Sequence, residues 1–199
     1  MIPLPGRAVP FRAETVRPMK LVHLVIPVLV AAIFSVAPLP LHAGTSHPGS
    51  ALILKNREYG EALVQGIRNA RTSISCAFYL FKITGSRNSQ ALMIADELIR
   101  ARKRGVAVTV ILEIDSGTKD RLGEENRQTA DYLSRGGVKV YFDSPTVVTH
   151  AKVVVIDGRY VYLGSHNLTQ SALRHNNELS VRIDSPELAA EVAAYLEKL

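Results

Sequence analysis

The sequence predicts an α/β fold in which a mixed β-sheet is flanked by helices on both faces. Runs of β-branched and aromatic residues alternate with amphipathic helical segments from residue 45 to the C-terminus, a pattern typical of layered α/β domains. The continuous apolar run at 106–114 is typical of a strand buried on both faces. Asp157-Gly158 stands between two further apolar runs and favours a hairpin, which adds antiparallel strands to the sheet.

The elements follow in order from periodicity and from residues that begin or end helices. Strands are predicted at 52–54, 73–81, 106–114, 138–142, 150–156, 160–163 and 179–183. Helices are predicted where apolar residues recur at helical spacing, at 58–70, 89–104, 124–135 and 186–199. Gly105 and Gly136 follow two of these helices as stop signals, and Ser185-Pro186 begins the last helix with a capping residue and an N-terminal proline.

Composition indicates a globular protein with one sizeable domain. The chain has 199 residues, of which 47% are hydrophobic and 21% are charged, unlike a disordered chain. Its single cysteine, Cys76, excludes an intramolecular disulfide and lies in an apolar run that predicts a buried, inert thiol. No Cys/His cluster has zinc-ligand spacing, so neither a metal nor any other cofactor is predicted.

Residues 1–44 have the parts of a secretory signal peptide. Basic residues precede the apolar run 21–37, and prolines and small residues follow it. Cleavage is expected after Ala43, with Ala37 as a second candidate position, and Met19 is an alternative start. The competing interpretation is an uncleaved membrane anchor at 21–37. Under either interpretation, residues 45–199 form the exported domain, either periplasmic or secreted, or anchored at the inner membrane.

The charge permits an anionic partner without selecting one. The net charge is +6, and the first 44 residues hold four basic side chains against one acidic side chain. The remaining chain holds 20 basic and 17 acidic residues, so the exported domain is only mildly basic. Nucleic acid and anionic lipid are both compatible with this balance.

A group of polar residues surrounds the predicted hairpin. His150-Ala-Lys152 precedes four apolar residues and Asp157, and Gly164-Ser165-His166-Asn167 follows the second strand. Because side chains alternate along a strand, His150 and Lys152 should point to the same face. Glu178 comes shortly afterwards, before the next strand.

These residue types suit the cleavage of a phosphodiester. A neutral imidazole of His150 can attack phosphorus while Lys152 neutralises the phosphate charge. Ser165 and Asn167 are placed to donate hydrogen bonds to phosphate oxygens, and Glu178 is placed to hold the second nitrogen of His150. Asp157 is the weaker candidate, since an Asp-Gly pair after a strand is usually only a turn.

The pattern resembles the signature of the phospholipase D superfamily, H-x-K-x4-D-x6-G-S-x-N. The match over His150, Lys152, Asp157, Ser165 and Asn167 is complete, and Glu178 also fits the family pattern. In size, in its single motif and in its leader, the chain is similar to the small bacterial endonucleases of that superfamily. The resemblance implies a phospholipase D-like fold over residues 48–199.

The resemblance also implies a mechanism and an assembly. One histidine attacks phosphorus and a second protonates the leaving oxygen, without a metal. Because this chain has one motif, a homodimer is implied, in which two His150 residues share one site. His150, Lys152, Asp157 and Glu178 are then the catalytic candidates, and Lys152, Ser165 and Asn167 are the phosphate-binding candidates.

Three functions remain open from the sequence. The first is a nonspecific nuclease on DNA or RNA, with loop cations along the backbone of the substrate: Lys82, Lys119, Arg121, Arg127, Arg159 and Arg174. The second is a phospholipase D acting on phosphatidyl headgroups, which would show an apolar rim. Val147-Val148 would supply part of that rim, although core packing is expected for this pair. The third is a binding module without catalysis, which the intact motif disfavours.

Overall fold

The seven strands of the described residues are joined in one mixed sheet. The computed structural model describes residues 44–83, 89–114 and 121–199, and the folded unit extends from Ser46 to Leu199. The strands are β1 (Ser50–Lys55), β2 (Ser73–Phe78), β3 (Ala107–Leu112), β4 (Lys139–Phe142), β5 (Lys152–Ile156), β6 (Tyr160–Gly164) and β7 (Leu179–Asp184).

The sheet has the order β1-β7-β6-β5-β2-β3-β4. The strands β2, β3 and β4 pair in parallel, whereas β1, β7, β6, β5 and β2 pair antiparallel in succession. The β5–β6 hairpin turns at 157–159, where Asp157 and Gly158 both have positive φ angles of 53° and 58°. An Asp-Gly pair tolerates this conformation, so the hairpin that the sequence predicts is confirmed.

The helices of the described residues cover both faces of the sheet. They are α1 (Arg57–Asn69), α2 (Gln90–Lys103), α3 (Arg121–Arg135), α4 (Gln170–Arg174) and α5 (Pro186–Leu196). The side chains of Ser89, Thr169 and Ser185 cap the N-termini of α2, α4 and α5, which satisfies free backbone donors there.

Two apolar cores follow from the alternation of side chains along the strands. On one face, α1 to α4 pack on even-numbered sheet residues such as Phe78, Leu112 and Ile156. On the other face, α5 packs on odd-numbered residues such as Val153 and Val155. Strand β5 is therefore buried on both faces along its whole length, which fixes the position of every residue in it.

The predicted fold class is confirmed, with small changes in the elements. The strand predicted at 73–81 ends at Phe78, and the short helix α4 lies where no element was predicted. Cys76 is buried, as predicted, and burial raises the pKa of its thiol to about 12. This shift makes the thiolate scarce at neutral pH.

Most of the N-terminal prediction falls outside this description. The proposed signal peptide or anchor at 1–44, including the apolar run 21–37, lies outside the described residues apart from Gly44. Within 44–83, 89–114 and 121–199, no helix is long and apolar enough to cross a membrane. The loop at 115–120 also lies outside the described residues.

Candidate active site

Three adjacent strands bring the motif residues to one edge of the sheet. Val153 of β5 pairs with Leu163 of β6, so Lys152 begins β5 where Gly164 ends β6. Gly164 in turn pairs with Ser180 near the start of β7. A side chain at Gly164 would come within 2.5 Å of the Ser180 Cα atom. Glycine is therefore required where the two strands approach so closely.

His150 and Lys152 lie together at this edge, beside Tyr79. The Lys152 ammonium donates a hydrogen bond to the His150 backbone carbonyl at 2.7 Å. The His150 ring lies 4.5 Å from the Tyr79 ring, centroid to centroid, and Lys152 Nζ lies 5.0 Å from the same ring. His150 is exposed, and its ring nitrogens have no hydrogen-bond partner in the described part of the chain.

Lys152 is a buried cation, with only 8% of its surface exposed. Burial lowers the pKa of Lys152 from its ordinary value, and the Glu178 carboxylate opposes that shift. A cation held in a low-dielectric setting interacts more strongly with a phosphate than an exposed cation does. Lys152 is thus suited to binding an anion at the entrance of β5.

Ser165 and Glu178 form a network of their own. The Ser165 hydroxyl donates to the Glu178 carboxylate and accepts from the Leu179 backbone N–H at 3.1 Å. Asn176 Nδ2 donates to the same carboxylate at 3.0 Å. Glu178 makes no hydrogen bond to His150 of its own chain in the described residues, so the predicted support of His150 is not seen within one copy.

Asn56 and His166 hold Glu178 in place. The Asn56 side-chain oxygen accepts from the Glu178 backbone N–H at 2.9 Å, and the Asn56 N–H donates to the Glu178 carbonyl at 2.9 Å. His166 is buried, stacked on Tyr59 with 4.4 Å between ring centroids, and its Nε2 lies 2.8 Å from the Asn56 carbonyl oxygen. His166 therefore lies in the core and supports Asn56, whereas His150 is exposed.

The sequence did not identify these supporting residues. Asn56 follows β1 and has a positive φ of 51°, and Tyr59 lies in α1, far from the motif in the chain. Burial lowers the pKa of His166, opposed by its hydrogen bond to Asn56 and by the Glu178 charge. The neutral imidazole is thereby favoured.

Asn167 carries a polar atom that the protein leaves unsatisfied. Its side-chain oxygen is buried and has no hydrogen-bond partner in the described residues. A buried polar group without a partner is uncommon and costs free energy. Asn167 follows Ser165 by two residues, which places this amide near the end of β6, the strand end that adjoins Lys152.

Asp157 does not lie near His150, Lys152, Ser165 and Asn167. It lies at the far end of β5, where its carboxylate accepts hydrogen bonds from the backbone of Arg71, Thr72 and Ser73 and from the Thr72 hydroxyl. Burial alone would raise the pKa of Asp157, but these hydrogen bonds outweigh it and hold the pKa below its ordinary value. These contacts tie the hairpin turn to the start of β2.

The core packing expected for Val147 and Val148 is wrong. Their side chains are 70% and 66% exposed, because both precede β5 in a loop that lies outside either core. Thr149, next to them, is buried, and its N–H donates to the Glu113 carboxylate. The two valines therefore present exposed apolar side chains three and two residues before His150.

Some of the predicted loop cations form ion pairs with carboxylates, and others do not. Ion pairs join Lys82 to Glu125, Arg127 to Glu124 and Arg159 to Asp184. Arg174 forms no ion pair in the described residues, and its carbonyl accepts a hydrogen bond from Arg57 Nε at 3.2 Å. Lys119 and the Arg121 side chain lie outside the description. Within the described ranges, no three His, Cys, Asp or Glu side chains are grouped as metal ligands.

Comparisons with known proteins indicate the family and the fold. A family model described as "Cardiolipin synthase, PLD-like domain" matches residues 63–199. A phospholipase D from Rickettsia conorii is 33% identical over 97 residues, which cover 49% of this chain and 46% of that protein. This chain thus spans about half the length of the curated relatives it matches.

Two solved structures share the fold. Nuc, a phospholipase D family member from Salmonella typhimurium, superposes with a TM-score of 0.62 at 26% identity, over 75% of this chain and 93% of Nuc. NucT from Helicobacter pylori gives a TM-score of 0.61 at 22% identity, over 76% of this chain and 95% of NucT. The predicted phospholipase D-like fold is confirmed by these similarities.

Proposed function

The chain belongs to the phospholipase D superfamily, and from that premise we propose that it is a metal-independent phosphodiesterase that hydrolyses DNA or RNA through a phosphohistidine. The observation that carries the proposal is the pairing of a buried Lys152 ammonium with an exposed, unbonded His150 imidazole at one strand end. A cation and a free nucleophile side by side are the minimum for attack on a phosphodiester.

In the first step, a ring nitrogen of neutral His150 attacks phosphorus. A nitrogen–phosphorus bond forms and one phosphorus–oxygen ester bond breaks, with its electron pair leaving on the ester oxygen. Lys152 neutralises the charge on the phosphoryl oxygens, and Asn167 adds a hydrogen bond from its amide. The donor in this hydrogen bond is the Nδ2 group of Asn167, because its Oδ1 atom can only accept.

The leaving oxygen needs a proton, and we assign its donor to His150 of a second copy. The His150 ring is exposed and unbonded within one chain, so it is free to face another imidazole across a two-fold axis. Water then attacks the phosphohistidine and gives its proton to that second imidazole. The nitrogen–phosphorus bond breaks, and the products are one phosphate monoester and one alcohol.

Ser165 and Glu178 are positioning residues in this proposal. The Glu178 carboxylate accepts hydrogen bonds from Ser165 and Asn176, and the Glu178 backbone carbonyl accepts one from the Asn56 N–H. Burial lowers the pKa of Lys152, and the negative charge of Glu178 opposes that shift, which favours the ammonium form of Lys152. Ser165 additionally fixes the backbone between β6 and β7.

Nucleic acid is proposed as the substrate because of two guanidinium groups at the rim. Arg57 follows Asn56 directly, and Arg174 lies close to Asn176. Neither forms an ion pair in the described ranges, unlike Lys82 and Arg127. Arg57 Nε donates to the Arg174 carbonyl, and the Arg174 guanidinium faces the Gln90 amide oxygen. Both side chains keep their full positive charge, which suits contact with the adjacent phosphates of a strand.

A phospholipase D activity on phosphatidyl headgroups is the second candidate. It is favoured by the exposed Val147 and Val148 beside His150, because exposed apolar side chains at a site can enter a lipid surface.

We further propose that the domain is exported, on the basis of the leader-like residues 1–44.

The test compares three substrates in EDTA. The purified full chain is incubated with plasmid DNA, with RNA and with phosphatidylcholine vesicles, alongside the His150→Ala and His175→Ala variants. His175 is an exposed histidine outside the network described above, so its variant is the matched control. We expect EDTA-resistant nucleic-acid cleavage that falls at least about 10³-fold in His150→Ala and is kept in His175→Ala.

Other outcomes are equally informative. Choline release without nucleic-acid cleavage would move the protein to the phospholipase proposal while keeping the His150 mechanism. Cleavage that is abolished by EDTA, or retained by His150→Ala, would refute the mechanism.

A further inference from the structure

A large groove lies at the opposite end of the sheet from His150 and Lys152. Its volume is about 950 Å³, which is at the upper end of the range for small-molecule pockets. The C-terminal half of α1 forms one wall, and the β5–β6 hairpin with Arg182 of β7 forms the other. Ile156, Tyr160 and Tyr162 contribute apolar surface to it.

The groove is separate from the catalytic residues. Lys152 begins β5, whereas Ile156 and Asp157 at the other end of this strand line the groove. A strand rises about 3.3 Å per residue, so the two places lie roughly 15 Å apart. A ligand in the groove therefore does not occupy the candidate active site.

Four arginines line the groove, and two of them form no ion pair in the described residues. Arg68 pairs with Glu97, and Arg159 forms two hydrogen bonds to Asp184 at 2.7 and 2.9 Å. Arg71 and Arg182 form no ion pair in the described part of the chain. The hydrogen bond from Arg159 and the charge of Arg182 both lower the pKa of the Asp184 carboxyl, and the Arg182 guanidinium also contacts the Tyr162 hydroxyl. The carboxylate of Asp157, which also lines the groove, is already engaged by hydrogen bonds from residues 71–73.

Arg182 shows a second sign of a missing partner. Its Nε atom is buried and has no hydrogen-bond acceptor in the described residues. The guanidinium stands 5.5 Å from the Tyr160 ring centroid, and that of Arg159 stands 5.3 Å from the same ring. The Tyr160 ring thus holds the guanidinium groups of Arg159 and Arg182 at the groove. The Nε donor of Arg182 has no acceptor among the described residues.

We propose that this groove binds the phosphate group of a phosphorylated ligand through Arg71 and Arg182. Arginine presents forked donors that match phosphate oxygens, and the unused Nε of Arg182 would gain an acceptor. The polar side chains of Gln65 and Asn69 line the same wall, and the tyrosines and Ile156 accommodate the less polar part of the ligand. The phosphate belongs either to a free mononucleotide or to a nucleic-acid strand.

Amide NMR of the full chain tests this directly. Inorganic phosphate, AMP and a short single-stranded DNA are titrated separately. Signals of Gly66, Asn69 and Gly158 report the groove, and signals of Gly164 and Ser165 report the candidate active site. We expect the groove signals to shift with at least one probe, and the binding to weaken about tenfold in Arg182→Gln, the loss of one charge-assisted contact.

Two further variants keep the test decisive. Arg71 is exposed, so Arg71→Gln should fold even if Arg182→Gln does not, and it should weaken binding similarly. Arg135→Gln removes the same charge from an exposed position at the end of α3 and should leave binding unchanged.

The probes distinguish the sources of phosphate. Binding of AMP or inorganic phosphate supports a free phosphorylated ligand, and binding of the DNA alone supports a strand. Unshifted groove signals with all three probes, or equal losses in Arg135→Gln and Arg71→Gln, would overturn the proposal. The groove signals are read independently of catalysis, so a failed nuclease assay leaves this test intact.

Discussion

Replacing Asp157 should lower the stability of the fold while leaving the activity proposed for His150 intact. Asp157 belongs to the sequence motif but lies at the far end of β5 from Lys152. Its Oδ1 atom accepts from the N–H groups of Arg71, Thr72 and Ser73 at 3.1, 2.8 and 3.1 Å, and from the Thr72 hydroxyl at 2.9 Å. Asp157→Ala removes all of these hydrogen bonds at once.

The expected loss follows from where the freed donors lie. Arg71 and Thr72 are exposed and Ser73 is half-buried, so water replaces part of the lost bonding and the net cost is about 2 kcal/mol. The positive φ of Asp157, 53°, costs alanine roughly 1 kcal/mol more. Asp157→Asn keeps an oxygen acceptor and tolerates this φ, so about 1 kcal/mol is expected from the lost charge.

Thermal unfolding and initial rates separate the two roles. A total of about 3 kcal/mol corresponds to a Tm lowered by roughly 6–12 °C for a domain of this size, with kcat unchanged well below the transition. Because the folded pKa of Asp157 is depressed, its contribution is present above the unfolded pKa and is lost as the pH falls through the folded pKa. The deficit of Asp157→Asn should therefore shrink below about pH 4. A large loss of kcat without a change in Tm would refute this reasoning.

Three further predictions concern the site itself. Because burial lowers the pKa of Lys152, the wild-type rate should fall at a lower alkaline pH than the ordinary lysine pKa would give. Lys152→Arg keeps a cation whose pKa is far higher, so this alkaline fall should move to higher pH in a pH–rate profile. When wild type is co-refolded with His150→Ala, activity should follow the square of the wild-type fraction if each site needs two His150 residues, and a linear dependence would exclude the shared site. His166→Phe keeps the stacking on Tyr59 but leaves the Asn56 carbonyl and the Ser180 hydroxyl unpaired, so about 2 kcal/mol should be lost in denaturant unfolding. Since the folded pKa of His166 is depressed, wild-type stability should fall as the pH drops below about 6.5, and this part of the fall should be absent in His166→Phe.

Local signals were enough to predict most of the fold. The Asp157-Gly158 turn, the apolar run at 106–114 and the Ser185-Pro186 helix start each act within a few residues, and each is found where the sequence indicates it. The short helix α4 was missed because five residues carry too little periodicity to stand out. The end of β2 at Phe78 is set by its pairing with β3 and β5, which no local pattern contains.

The candidate site was predictable only in part, because its support is long-range. His150, Lys152, Ser165 and Asn167 belong to adjoining strand ends, so chain proximity indicated that they meet. Asn56 is 122 residues from Glu178, to whose backbone it bonds, and only the sheet order β1-β7-β6 brings the two together. The exposure of Val147 and Val148 likewise depends on which residues the helices cover. Their apolar character alone predicted that they would be buried, which is wrong.

The fixed spacing of the motif is the length of β5. Four residues separate Lys152 from Asp157, and they carry the chain from the candidate active site to the turn anchored on β2. The chain then returns through β6 and reaches the first edge again at Gly164. Removing one residue from β5 would turn every following side chain to the opposite face. Either Lys152 would then leave the edge shared with Ser165, or Asp157 would lose its contacts with residues 71–73. At one end of β5, Asp157 is needed to anchor the turn on residues 71–73. At the other end, Lys152 is needed beside His150 for the proposed chemistry. One motif therefore contains both Lys152 and Asp157.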